Sequence, residues 1–344
     1  MKRILIIKLG AVGDVVHALP VLETLRAAQP DAHLGWVVEG AAAPILQGNP
    51  ALSELILLER RKLRGPAGIS YFKTWLSDLK ARGYDTVIDP HTLFKSGLIA
   101  WGSGAGLRIG FRKIREGNFL FMNRRVAPDP EYRHAVEKYL CLLKPLGIPA
   151  ARWVVRFPLN WTPQDGEKIG TFWREEALEG NDPVVAINPG ANWESKRWPP
   201  DRFARVADRL ARRDRARIVL LWGPGERDLA ERIAGEMSEK SRLAPETGLK
   251  SLAALLKRCR LMISGDSGPL HMAAAVGTPT VALFGPSHAE RNGPYGKGHV
   301  VVRSTVPPAT HWQRKEFGAH WMEAISVEAV VEAAERQLGR EVIR

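Results

Sequence analysis

Short apolar runs alternate along this chain with longer stretches in which apolar residues recur every three to four positions. The run Lys2–Lys8 predicts a first strand, and after Leu9-Gly10-Ala11-Val12-Gly13-Asp14 a helical pattern continues to about Ala28. Further strands are predicted at His33–Val38, Leu55–Leu58, Thr86–Asp89 and Arg108–Phe111. Helices are predicted at Tyr71–Arg82 and Glu131–Leu146, the latter stopped by Gly147 and Pro149. Residues 148–183 lack a clear period and carry Pro149, Pro158, Pro163 and Pro183, which marks a domain boundary with room for one helix near Asp165–Glu176. Alternation then resumes, with strands at Val184–Asn188, Arg217–Trp222, Leu261–Ser264 and Thr280–Phe284. Helices fall at Asp201–Arg212, Glu226–Met237, Leu249–Lys257, Pro269–Val276 and, last, Val327–Leu338.

Alternating strands and helices predict an α/β fold with a mostly parallel sheet covered on both faces, once in each half. A length of 344 residues also exceeds what one core usually serves. The expected organisation is a domain over 1–160, a linker region over 161–183 and a second domain over 184–325. The segment 326–344 is expected to form a helix packing back toward the first domain. Two such domains would face each other across a central cleft at the carboxyl ends of their sheets, where ligands bind in this architecture.

Bulk properties narrow the class. Cys141 and Cys259 lie far apart, with no CxxC spacing and no His-rich neighbourhood, so a disulfide framework or zinc site is not expected and a reducing compartment fits. Lys8 and Asp14 interrupt the first apolar run and no small-residue cleavage site follows, so it reads as a buried strand rather than a signal peptide. No stretch reaches the roughly 18 uninterrupted apolar residues of a spanning helix. A soluble, cytoplasmic protein is expected. The formal net charge is +13, with 23 basic and 14 acidic residues over 1–165 against 27 and 23 over 166–344. The excess gathers at Arg60-Arg61-Lys62 with Arg64, and at Arg108, Arg112, Lys113, Arg115, Arg124 and Arg125. Such clusters suit a polyanionic partner, although solvated surface charge would look the same.

Chemistry concentrates in the loops after predicted strands. In Met262–His271 an apolar run stops at a small polar turn and a helical pattern starts at once. The amides of Ser267 and Gly268 would lie at a helix N-terminus, where unpaired N–H groups and the helix dipole favour an anion. Asp266 and His271 flank the same turn, which suggests a nucleotide or nucleotide-sugar site. Equally, Asp266 could be an N-cap with His271 packed on its helix. In the loop Asn188–Pro199, Lys196 offers a mobile cation for a phosphate, assisted by the amides of Ala191 and Asn192, while Trp198 reads as a packing residue. In Gly223-Pro224-Gly225-Glu226, the acid could hold ribose hydroxyls or simply favour a helix start. Near the amino terminus, Asp14 is either an N-cap worth about 1 kcal/mol or a carboxylate able to take a proton from a hydroxyl. Neither GxGxxG nor GxxxxGK[ST] occurs at these loops, which disfavours a nicotinamide dehydrogenase and a P-loop ATPase.

Three segments together, Ile4–Lys8 with Gly13-Asp14-Val15-Val16-His17-Ala18-Leu19-Pro20, Asn188-Pro189-Gly190 with Lys196-Arg197-Trp198-Pro199, and Gly265-Asp266-Ser267-Gly268-Pro269-Leu270-His271, carry a wider likeness. On them the chain resembles glycosyltransferase family 9, the lipopolysaccharide heptosyltransferases, most closely the heptosyltransferase I branch. The resemblance covers nearly the whole chain. It implies a GT-B fold of two Rossmann-like domains, acceptor in the first and nucleotide sugar in the second. It implies inverting transfer of L-glycero-D-manno-heptose from ADP-heptose, a substrate rather than a cofactor, to a Kdo hydroxyl of Kdo2-lipid A. Asp14 resembles the general base and Lys196 the diphosphate-binding lysine, helped by Ala191 and Asn192. Asp266 would contact the heptose hydroxyls, Ser267, Gly268 and His271 look like the diphosphate end, Glu226 matches the ribose-binding acid, and Leu249 looks like the residue against adenine. Ala191 and Asn192 stand where that branch often carries hydroxyl residues, and Ser267 stands for Thr. Arg60, Arg61, Lys62, Arg64, Lys113 and Arg115 look like the surface for Kdo carboxylates and lipid A phosphates, continued by Arg133 and His134. Metal-independent catalysis, a monomer, and peripheral attachment to the cytoplasmic face of the inner membrane are expected. Alternatives are heptosyltransferase II or another family 9 enzyme with a different acceptor and, more remotely, a sugar-nucleotide 2-epimerase. A nucleic-acid partner is not expected, because no helix-turn-helix or aromatic-interleaved basic motif occurs.

Overall fold

The computed structural model describes residues 2–112, 116–308 and 320–339 and divides into two units, 1–160 and 161–344. The first unit runs β1 (Arg3–Ile7), α1 (Val12–Ala28), β2 (His33–Glu39), β3 (Glu54–Leu58), α2 (Gly65–Ala81), β4 (Thr86–Ile88), α3 (Phe94–Gly102), β5 (Leu107–Phe111), β6 (Arg124–Val126) and α4 (Ala135–Cys141). Its strands form one sheet in the order β3-β2-β1-β4-β5-β6, with every adjacent pair parallel. β1 is central because Ile4 to Ile7 are fully buried, and only a strand covered on both faces can be apolar at every position. Ile6 lies in register with Trp36 on one side and Ile88 on the other.

The second unit runs α5 (Pro163–Glu175), β7 (Val184–Asn188), α6 (Pro200–Asp214), β8 (Arg217–Leu220), α7 (Arg227–Glu236), β9 (Ser241–Leu243), α8 (Leu249–Arg258), β10 (Leu261–Gly265), α9 (Gly268–Ala275), β11 (Thr280–Phe284) and β12 (His299–Arg303), with a closing helix at Val327–Leu338. Its order, β12-β11-β10-β7-β8-β9, repeats that of the first unit and is again parallel throughout. In each sheet the strand order therefore reverses once, between β1 and β4 and between β7 and β10. This is the doubly wound Rossmann order, whose ligand position is the pair of strand ends at the reversal.

The region expected to be a linker, 161–183, holds α5, which belongs to the second unit. Thr162 caps it reciprocally with Asp165, and the Ser251 hydroxyl of α8 donates to the Asp165 carboxylate at 2.6 Å. The closing helix packs within the second unit. Val327, Val330, Val331, Ala333 and Ala334 are buried with Val185, Ile187, Ile263 and Leu283 of the second sheet, which uses up its apolar face there. The Trp198 indole, expected to pack, is buried beside Phe203 and donates to the Ile325 carbonyl just before that helix.

β2 shows how tightly the first core closes. A Cβ added at Gly35 would lie 2.0 Å from the Tyr84 hydroxyl, which itself donates to Glu54 at 2.6 Å. Substituting Gly35→Ala should therefore overpack the sheet and cost about 1–3 kcal/mol, read as a lowered Tm in thermal unfolding; an unchanged Tm would show that Tyr84 can move aside freely.

Candidate functional site

At the reversal of the first sheet, the ends of β1 and β4 meet the first turn of α1. Lys8, just past β1, has a side chain that is 4% exposed, and its ammonium lies 3.5 Å from Asp14 Oδ1. It donates to the Tyr139 hydroxyl of α4 at 2.9 Å, and Tyr139 donates onward to Asp14 at 3.2 Å. Asp14 is the third residue of α1 and not its N-cap, which is Ala11. Its carboxylate is 46% exposed and open to a ligand, whereas its cationic neighbour is sealed away. Burial alone would lower the Lys8 pKa, but Asp14, Tyr139 and Asp89 outweigh it and hold the amine above its ordinary value.

The end of β4 is fixed by Asp89. This fully buried carboxylate accepts from the backbone of His91 at 2.8 Å and of Thr92 at 3.2 Å, and from the Asn118 amide at 2.7 Å. Burial raises its pKa against the pull of those bonds. The turn so held is strained, because the β-branched Thr92 sits at φ 70°. It carries His91 beside Lys8, whose ammonium also donates to the Pro90 carbonyl at 3.4 Å. Burial, with Lys8 nearby, pushes the His91 pKa down to about 3, and the ring is neutral at ordinary pH.

The sequence-predicted acceptor residues spread wider. Arg60, Arg61 and Lys62 form an exposed turn after β3, with Arg64 exposed at the start of α2, on the same carboxyl edge of the sheet as Asp14. Lys62 also pairs with Glu59 at 2.6 Å. Arg133 is exposed, and His134 has a structural task, since its Nδ1 caps α4 by accepting from Val136 and its ring packs edge-on against His17. Lys113 and Arg115 lie outside the described residues. Of the other basic residues, Arg108 donates to the Phe121 and Ala105 carbonyls and Arg125 stacks on Phe119.

At the reversal of the second sheet, the Asn188 amide ends β7 and donates to the Gly190 carbonyl at 3.0 Å and to the hydroxyls of Ser264 and Ser267 at 3.1 and 3.2 Å. It thereby ties the ends of β7 and β10 to the start of α9. Lys196 reaches across and pairs with Asp266 at 2.6 Å, lying also over the Trp193 ring. The other Asp266 oxygen is 3.5 Å from His271 Nε2. Burial pushes the Asp266 pKa up, but His271 and Lys196 overcome it and hold the carboxyl well below the usual carboxylate range. Ser267 precedes α9 without capping it by its side chain, and Gly268 opens the helix. Glu226 ends the loop after β8, accepting from the Gly223 amide at 3.2 Å and lying 3.8 Å from Arg197. Arg197 in turn donates to the Ala191 carbonyl at 3.0 Å, with Asn192 exposed beside it. A Cβ at Gly190 would lie 2.1 Å from the Glu226 carboxylate, so a larger residue there would displace that acid. Leu249 opens α8 one strand farther out, partly buried.

The structure thus gathers Asn188, Lys196, Asp266, Ser267 and His271 at one point and joins Glu226 through Arg197. Lys8, Tyr139, His91 and Asn188 were not singled out from sequence as site residues. Of these, Lys8 carried a signal, a charge ending an otherwise apolar strand, and Asn188 stood in the Asn188-Pro189-Gly190 segment that carries the likeness. A cavity of 1080 Å³ lined by Asp182, Lys257, Arg258 and Arg260 opens at the opposite, amino-terminal edge of the second sheet, away from these residues. Among the described residues, no group of three or more His, Cys, Asp or Glu is placed to hold a metal ion, and no helix is long and apolar enough to cross a membrane.

A family model described as "Glycosyltransferase family 9 (heptosyltransferase)" matches residues 74–321. Lipopolysaccharide heptosyltransferase 1 of Pseudomonas aeruginosa is 30% identical, covering 89% of this chain and 85% of its own. Lipopolysaccharide heptosyltransferase 2 of Escherichia coli is 29% identical over 88% of each. Among solved structures, a family 9 glycosyl transferase from Veillonella parvula has 30% identity and a TM-score of 0.86, covering 98% of this chain and 97% of its own. The E. coli heptosyltransferase WaaC with ADP-2-deoxy-2-fluoro heptose has 26% identity and a TM-score of 0.71, covering 97% and 99%. These likenesses bear out the GT-B fold class.

The neutral, buried ring of His91 makes stability pH-dependent. Its folded pKa of about 3 lies below the ordinary 6.5, so between those values the unfolded chain binds the extra proton and stability falls as pH falls. Relative to His91→Gln, which cannot titrate, the wild type should lose about 1–2 kcal/mol between pH 6.5 and pH 5 in urea unfolding; parallel pH curves for the two proteins would contradict this.

Proposed function

The chain belongs to glycosyltransferase family 9, and from that premise we propose that it moves L-glycero-D-manno-heptose from ADP-heptose to a Kdo hydroxyl of Kdo2-lipid A with inversion. It is a glycosyltransferase of the lipopolysaccharide heptosyltransferase family. The finer reading is supported chiefly by the Lys196–Asp266–His271 cluster at the start of α9, which pairs a cation with an uncapped helix end where a sugar diphosphate needs both.

In the proposed mechanism the Asp14 carboxylate takes the proton of the attacking Kdo hydroxyl. The new oxygen–carbon bond forms at the anomeric carbon as the bond to the phosphate oxygen breaks, and its electron pair leaves on ADP. Lys8 and Tyr139 hold the carboxylate in place through the contacts described above. Lys196, the amides at Ser267 and Gly268, and His271 stabilise the charge that grows on the departing diphosphate. Lys196 must then share itself between Asp266 and the phosphate. Asp266 would accept from the heptose hydroxyls, Glu226 from the ribose, and Leu249 would pack against adenine, with Ala191 and Asn192 near the diphosphate. No separate cofactor or metal is part of this proposal. The exposed Arg60, Arg61, Lys62 and Arg64, with Lys113, Arg115, Arg133 and His134, suit the carboxylates and phosphates of the acceptor. A cytoplasmic monomer attached peripherally to the inner membrane fits an acceptor embedded in that membrane.

The near-equal likeness to heptosyltransferases 1 and 2 favours one second reading, in which the acceptor is an already heptosylated core. Supplying ADP-heptose with Kdo2-lipid A or with heptosylated core, and weighing products by mass spectrometry, separates the two; product only from the heptosylated core would replace the first reading. Asp14→Ala should lower turnover by at least about 100-fold while leaving ADP-heptose affinity nearly intact. Near-normal turnover in that variant would remove Asp14 as the base. Lys196→Ala should instead raise the KM for ADP-heptose about 10-fold or more, the loss of one charge-assisted hydrogen bond; an unchanged KM would place the diphosphate elsewhere.

A further inference from the structure

His91 is a polar group that the mechanism above leaves unused. It sits at the strand reversal of the first sheet, on a turn locked by the Asp89 carboxylate and strained at Thr92. The carbonyl of the preceding Pro90 and the Asp14 carboxylate both lie within 3.5 Å of the single Lys8 ammonium, so the turn that carries His91 borders the proposed base. Nδ1 of His91 is buried without a hydrogen-bond partner, whereas the residue as a whole keeps partial exposure. An N–H buried with no acceptor costs more than an unused lone pair, so the proton of the neutral ring belongs on Nε2. A neutral N–H donor is thus carried by a fixed turn that borders a carboxylate, on the edge of the sheet where the acceptor would bind.

We propose that His91 binds the acceptor, its Nε2–H donating to a sugar oxygen next to the hydroxyl that Asp14 deprotonates. The proposal rests on the reading of Asp14 as the base. A charged imidazole there would add a second cation to Lys8, and the low pKa that burial gives His91 keeps this from happening near neutral pH. Glutamine supplies an amide N–H at similar reach, while alanine supplies nothing.

Full-length wild type, His91→Gln and His91→Ala are compared in steady-state kinetics with ADP-heptose and Kdo2-lipid A. The expected result is an acceptor KM raised about 10-fold in His91→Ala and restored to within about threefold in His91→Gln, with the ADP-heptose KM unchanged in both. An unchanged acceptor KM in His91→Ala overturns the proposal. So does a His91→Gln protein with the wild-type Tm but not the wild-type acceptor KM, since a donor at similar reach then fails to serve the acceptor. Binding of Kdo2-lipid A to Asp14→Asn and to Asp14→Asn/His91→Ala, followed by intrinsic fluorescence, needs no turnover. Absence of product with wild type would sink the transferase reading for this acceptor, whereas equal affinity of these two variants would sink the role given to His91.

Discussion

Parallel strands can be joined only by crossovers, and that geometric constraint decides where chemistry can gather in each half of this protein. Every strand points the same way, so all the loops that end strands lie on one edge of their sheet. Where the order reverses, two neighbouring strands send their connections to opposite sides and a crevice is left between them. Lys8 and Asp89 end one such pair of strands, and Asn188 and Gly265 the other. The same topology drawn twice thus provides two sites of the same kind, one furnished with a carboxylate and one with a cation and a helix start.

Both sites depend on buried charge that is fully matched. Lys8 remains ionised in a nearly sealed position because a carboxylate and a phenol face it, and Asp266 because a lysine and a histidine do. Removing one partner of such a set leaves the other charge buried alone, which is far costlier than losing a surface pair. The matched sets therefore fix side-chain positions more than they add stability. Asp89 extends the principle to the backbone, since its carboxylate satisfies two amides of a turn that would otherwise relax.

Much of the fold was legible from periodicity. Buried runs such as Ile4–Ile7, Val184–Asn188 and Leu261–Ser264 can only be central strands, and they are. The strands that escaped notice are β6, β9 and β12, all at sheet edges or close to them, where Arg124-Arg125, Ser241-Arg242 and the flanking His299 and Arg303 blur the apolar signal; charged edges of this kind hinder unwanted strand pairing. α3 was missed because it spans only nine residues and exposes Phe94 and Trp101. In the site, residues whose chemistry is declared by a local motif, such as Asp266 and Lys196, were legible. Tyr139 and His91 were not, because they come to Lys8 from α4 and from the turn after β4, and no local pattern records such distant meetings, across 131 residues for Tyr139.

The turn at Arg60–Arg64 differs from the two buried sets in one respect, its full contact with bulk water. Mobile ions screen exposed charges over roughly 8 Å at physiological ionic strength but act weakly on pairs enclosed by protein. Added salt should therefore loosen any anion held by those arginines and leave the Lys196–Asp266 pair nearly untouched. The two halves of this chain are thereby set to respond differently to the same medium.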